Sequence, residues 1–112
     1  MNEADAAERT PLSPVVFHTL LCLVDREMHG YAIAQTVEER TGGAVKMGPG
    51  TLYGALHRLR ESGYIDECDA PGEASERRRY YRLTARGREV LEADGARLAG
   101  EVELLRTKGV IR

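Results

Sequence analysis

Leucine, valine and alanine recur at helical spacing in four separate stretches of the chain, and between the third and fourth stretches the pattern switches to short apolar runs bounded by turn formers. Ser13 followed by Pro14 has the form of an N-cap with proline in the first turn, and Val16, Leu20, Leu23 and Val24 then continue a helix to about Glu27. Val15, Phe17 and Leu21 widen its apolar face, which predicts a helix packed on more than one side. A second helix opens at Gly30 and closes at Gly42 and Gly43, with Tyr31, Ala34 and Val37 as its apolar stripe and Gln35, Glu38 and Glu39 toward water. A third starts at Pro49, Gly50 and Thr51, buries Leu52, Leu56 and Leu59, and stops at Gly63.

Tyr64 to Asp66 then begins a strand, DAPGEAS is a turn, and RRRYYRLT is a returning strand. From Thr84 to about Lys108 a long helix follows, in which Leu91, Leu98 and Leu105 fall seven apart with Val102 between them. The expected fold is mainly α with a small β-hairpin: a winged helix-turn-helix over residues 11–83, then a C-terminal dimerisation helix over 84–112, preceded by a flexible acidic tail over 1–10. The spacer from Thr41 to Gly48 is longer than a tight turn, so the order of elements, with a hairpin directly after the third helix, carries more weight than the helix spacing.

Charge sharpens this picture. A formal net charge of −2 argues by itself against a nucleic-acid partner, but the charges are segregated: Arg77 to Arg88 holds six Arg and no acid, whereas Glu3, Asp5 and Glu8 lie together near the start. With the leucines of the third helix turned inward, Thr51, Tyr53, His57 and Arg58 fall on or near its outward side. Gly50 and Thr51 at its start would offer backbone N–H groups and the positive end of the helix dipole to a phosphate. Lys46 just before the helix and Arg77, Arg78 and Arg79 on the hairpin supply the electrostatic attraction, and His57 and Arg58 would reach base edges. Tyr31 falls on the apolar stripe of the second helix, which places it in the core ahead of a phosphate contact.

The last helix carries more apolar stripe than so small a domain can cover, so Leu91, Gly95, Leu98, Val102 and Leu105 are the expected homodimer interface. Gly95 on that seam would let two helices approach closely.

The runs HGYAIAQTVEERTGG, PGTLYGALHRLRESGYI and RRRYYRLTARGREVL, in this order and spacing, resemble the PadR family of bacterial transcriptional regulators over roughly Leu12 to Leu105. The single long last helix is similar to the short subfamily. The resemblance implies a winged helix-turn-helix that pairs through its C-terminal helix, with Thr51 and Tyr53 facing double-stranded DNA and the arginines before Tyr80 and Tyr81 as wing contacts. It further implies repression, and release by a small-molecule effector, whose identity no residue indicates.

Other chemistries find little support. His18 and Cys22 stand four apart on the first helix, yet no second ligand pair has metal-site spacing, and a buried cysteine beside a polar histidine explains them more simply. Cys68 near the wing has no identifiable base or second thiol beside it. No nucleophile–base pair, paired carboxylates or phosphate loop is visible, so no catalytic residue, cofactor or metal is expected and the chain does not read as an enzyme. With two distant cysteines and no membrane-length apolar run, the expected location is the cytoplasm, associated with the nucleoid. A winged-helix module that docks a protein through its charged wing, without sequence-specific DNA binding, is the alternative from another class.

Overall fold

Ser13 does begin a helix. In the computed structural model, which describes residues 10–69 and 79–112, its Oγ accepts from the Val16 N–H at 3.2 Å, and Pro14 opens helix α1 (Pro14–Cys22) where a missing N–H costs nothing. The acidic tail up to residue 9, the hairpin tip from residue 70, and Arg77 and Arg78 lie outside the described residues.

Helix α1 ends at Cys22, not near Glu27. The Leu23 and Val24 N–H groups turn back to the Leu20 and Leu21 carbonyls at 3.0 and 3.2 Å, and the chain then straightens into a two-residue strand β1 (Met28–His29) that the hydrophobic pattern did not reveal. His29 serves twice. Its backbone ends β1, and its Nδ1 accepts from the Ala32 N–H at 3.3 Å as the cap of helix α2 (Gly30–Arg40). The buried face of α2 is Ile33 and Val37; Tyr31 is 63% exposed, which corrects its expected place in the core. Both faces satisfy helical spacing, and packing against α1 selects the one with the branched aliphatics.

The long spacer between α2 and the next helix is held in place. Gly42 and Gly43 take left-handed φ values of 63° and 86°, and the Gly43 N–H reaches the Glu38 carbonyl at 2.9 Å. Thr41 Oγ1 donates to the Val37 carbonyl at 2.9 Å and accepts from the Val45 N–H at 3.0 Å. Met47 then enters the core. Helix α3 (Pro49–Glu61) buries Leu52, Ala55, Leu56 and Leu59, and ends where Gly63 at φ 81° lets the Tyr64 N–H return to the Leu59 carbonyl at 3.0 Å.

Strands β2 (Ile65–Cys68) and β3 (Tyr80–Leu83) form the antiparallel hairpin, with Ile65 opposite Leu83 and Cys68 opposite Tyr80. Because β1 adds to the other edge, the sheet order is β1-β3-β2, and β3 is central. Thr84 caps helix α4 (Ala85–Thr107), its Oγ1 accepting from the Gly87 N–H at 3.0 Å and donating to the Gly63 carbonyl at 2.7 Å. Val90 joins Leu20, Ile33, Val37, Leu56 and Ile65 in one core, with Leu91 packed partly buried against it. Helix α1 packs on both α2 and α4, the many-sided burial its broad apolar face predicts. One carboxylate enters this region: Asp94, 1% exposed, accepts from the Leu12 N–H at 3.3 Å and from Arg97 Nε at 2.9 Å. Beyond it Leu98, Val102, Leu104 and Leu105 on α4 are all exposed, as is Gly95.

Candidate nucleic-acid interface

Three features converge at the start of α3. Its N-cap is Gly48, which has no side chain to offer, and its first residue is a proline; the N–H groups of Gly50 and Thr51 therefore have no side-chain cap. Such a start favours an anion. Gly50, Thr51, Tyr53, His57 and Arg58 are exposed, as the inward turn of the leucines requires, and Lys46 is exposed on the approach.

Tyr53 is not an isolated surface ring. A Cβ on Gly30 would stand 3.2 Å from its Cε1 and 3.3 Å from its Oη, so the missing side chain at Gly30 is what lets Tyr53 lie across the beginning of α2. One residue further, Tyr31 stacks parallel on the His29 ring at 6.5 Å, and His29 meets Tyr80 of β3 edge-on at 5.4 Å. Tyr31 and Tyr53, 63% and 53% exposed, thus each border the start of α2, Tyr53 over Gly30 and Tyr31 on His29, which in turn meets β3. For Tyr31 this exposed position is not legible in the sequence. Its one usable signal is Gly30 itself, since a glycine opening a helix can mark close approach by another element.

The sheet carries charges of both signs. Glu67 on β2 draws Arg60 of α3 at 3.3 Å and Arg79 at 3.4 Å, and Asp66 faces Arg82 at 3.9 Å. Arg79, the described member of the arginine run, is 69% exposed, and a pair this open contributes at most about 1 kcal/mol. A phosphate can therefore displace Glu67 at small cost. Arg58 folds back along α3, its Nη1 lying 3.6 Å from where a Cβ on Gly54 would be.

The thiols lie apart from this chemistry. Burial raises the Cys22 thiol above its ordinary value, partly opposed by the Arg40 guanidinium 4.0 Å away. Burial, then the Glu27 charge, raises Cys68 as well, so neither is activated as a nucleophile. Among the described residues no group of three or more His, Cys, Asp or Glu could hold a metal ion, and no helix is long and apolar enough to cross a membrane.

Two helices joined by a fixed connection, the second with an open polar face and followed at once by an antiparallel sheet, define the winged helix-turn-helix class. Within that class the chain belongs to the transcriptional regulator PadR-like family, whose sequence profile matches residues 19–93. It is 37% identical over 82 residues to a transcriptional regulator of Mycobacterium tuberculosis, a match covering 71% of each chain. It is also 42% identical over 86 residues to an uncharacterized 37.1 kDa protein in a Streptomyces fradiae transposon, where the match takes in 74% of this chain but only 23% of that protein. Among solved structures, a PadR family transcription regulator from Clostridium difficile superposes with a TM-score of 0.72 at 26% identity, covering 85% of this chain and 97% of that one. Bacillus subtilis PadR, solved in complex with operator DNA, superposes at 0.63 and 22% identity, covering 72% of this chain and 46% of that one, and so has the same fold. The family is one of transcriptional regulators, not of enzymes.

Proposed function

We propose that the protein is a DNA-binding transcriptional regulator of the cytoplasm that works as a homodimer, represses, and is released by a small-molecule effector. The observation that carries this reading is the open polar face of α3, with its uncapped start flanked by Tyr53, Tyr31 and Lys46. Lys46, Gly50, Thr51 and Tyr53 take phosphates, His57 and Arg58 read base edges, and Arg77, Arg78 and Arg79 brace the wing on the backbone. Leu91, Gly95, Leu98, Val102 and Leu105 form the seam between subunits, whose exposed outer part in the single chain favours a second copy. A twofold pair then sets its two α3 helices in successive major grooves of a roughly palindromic operator, with half-sites about 34 Å apart. The operator complex of Bacillus subtilis PadR, a protein of the same fold, supports the DNA partner.

Salt titration of binding to genomic fragments tests the proposal. If a dimer makes about six to ten phosphate contacts, affinity falls roughly 10³- to 10⁵-fold between 50 and 200 mM salt. Arg78→Ala should weaken binding to all sequences and flatten the salt slope by about two for a dimer, while His57→Ala should change base preference. A slope near zero would instead favour the protein-docking module.

A further inference from the structure

Glu67 divides one carboxylate between two arginines. Its Oε1 meets Arg60 Nη1 of the last turn of α3 at 3.3 Å, and its Oε2 meets Arg79 Nε, one residue before β3, at 3.4 Å. Tyr81 lies directly opposite Glu67 in the ladder. Burial, then the Glu67 charge, raises the Tyr81 hydroxyl while Arg79 and Arg60 oppose that rise, so the phenol feels the same three charges. Arg82 cannot take the place of Arg79, because successive residues of a strand face opposite sides and Arg82 meets Asp66 on the other one, at 3.9 Å.

A carboxylate and a phosphate offer a guanidinium the same partner, an anionic oxygen that accepts its hydrogen bonds. We propose that Glu67 is an internal competitor of the DNA backbone: it occupies Arg79 in the free protein and so lowers affinity for every duplex by one factor, whatever the sequence. This rests on the DNA binding proposed above. Arg79 is free to leave, being 69% exposed and held by one contact of 3.4 Å. When it turns to a phosphate, Arg60 still holds Glu67 beside α3, so the negative charge stays near the backbone. Phosphate contacts carry no sequence information, and the penalty therefore falls on specific and non-specific DNA alike. Weak backbone attraction leaves more of the regulator free of random sequence, where competing sites are most numerous.

Glu67→Gln removes the charge and keeps the shape and an acceptor for Arg60. Its affinity for a random-sequence duplex and for the genomic fragment bound most tightly should rise by equal factors, about two- to fivefold for one wing and about four- to twenty-five-fold for a pair. The gain should shrink as salt rises, and most of it should disappear on an Arg79→Ala background. A Glu67 that only supports the fold predicts a loss, larger on the tight fragment than on the random duplex, because a displaced α3 reads bases less well. Unchanged or lowered affinity, unequal gains on the two duplexes, or a gain that keeps most of its size without Arg79 would each overturn the proposal. Heparin–agarose, a polyanion without bases, separates it from the function on which it rests. If the wild type binds no duplex, that function fails; later elution of Glu67→Gln from heparin, only while Arg79 is present, then still upholds the competition, and equal elution overturns it.

Discussion

Replacing Gly87 with alanine would test how closely α4 must approach the sheet. A methyl group there overlaps the Tyr64 carbonyl oxygen outright and stands 2.8 Å from Leu83 Cδ1 and 3.0 Å from the Tyr64 carbonyl carbon. Leu83 is a side chain and can turn aside. The carbonyl cannot, because it accepts from the Thr84 N–H at 3.1 Å and belongs to the chain just before β2. Overpacking of this kind costs about 1–3 kcal/mol, and losing the Thr84 hydrogen bond adds about 1. Alanine returns about 1 kcal/mol of helix propensity, so the net destabilisation is about 1–3 kcal/mol. For a domain of this size that lowers the melting temperature by roughly 4–12 °C. Gly100→Ala, where nothing lies within 4 Å, is the control and should gain up to about 1 kcal/mol. Urea and thermal denaturation followed by circular dichroism, at one fixed protein concentration, would measure both. If Gly87→Ala proves as stable as the wild type, the close approach of α4 to the Tyr64 carbonyl is not a feature of the folded chain.

Other expectations address separate parts of the molecule. Leu98→Asp with Leu105→Asp should convert a dimer at micromolar concentration into a monomer in sedimentation velocity, since the 36% and 41% of each leucine still open would contribute about 0.5–1 kcal/mol apiece at a seam and a carboxylate there would be buried unpaired; a persistent dimer would move the interface elsewhere. Asp94→Ala orphans the Leu12 N–H and removes the acceptor of Arg97, and should cost about 1–3 kcal/mol together with faster amide exchange at Leu12. The Cys22 thiol holds its proton more tightly folded than unfolded, so its contribution is intact below the ordinary thiol value of 9.0 and is lost as pH rises through the higher folded value. The urea midpoint of the wild type should therefore fall more steeply above pH 9.0 than that of Cys22→Ala, and parallel curves would contradict the burial argument.

Local rules make much of this architecture legible in the sequence. Ser13 with Pro14, Pro49 before the Leu52–Leu56–Leu59 stripe, and the glycines at 42, 43 and 63 each act within a few residues, and each appears where its chemistry places it. The outward face of α3 followed directly from its leucines. What escaped depends on distant partners. Strand β1 is two residues long, too short for any alternation, and exists because β3 has an edge to offer. Tyr31 satisfied one helical stripe and Ile33 another, and only the packing on α1 decides between them. Asp94 reads as an ordinary solvent-facing acid, because nothing near it in sequence announces that the Leu12 N–H will cross the chain to meet it. The tie between Glu67 and Arg79 is likewise invisible until β2 and β3 are in register.

The hydroxyl of Thr84 has a mechanical consequence. By holding the Gly63 carbonyl and the Gly87 amide at once, it makes the exit from α3 and the entry to α4 a single hinge pin. Helix α4 runs 23 residues from that pin, about 34 Å at 1.5 Å per residue, so a tilt of about 5° there sweeps its far end through about 3 Å. A small rotation of α3 passed on through Thr84 would thus be magnified at the opposite extremity of the molecule.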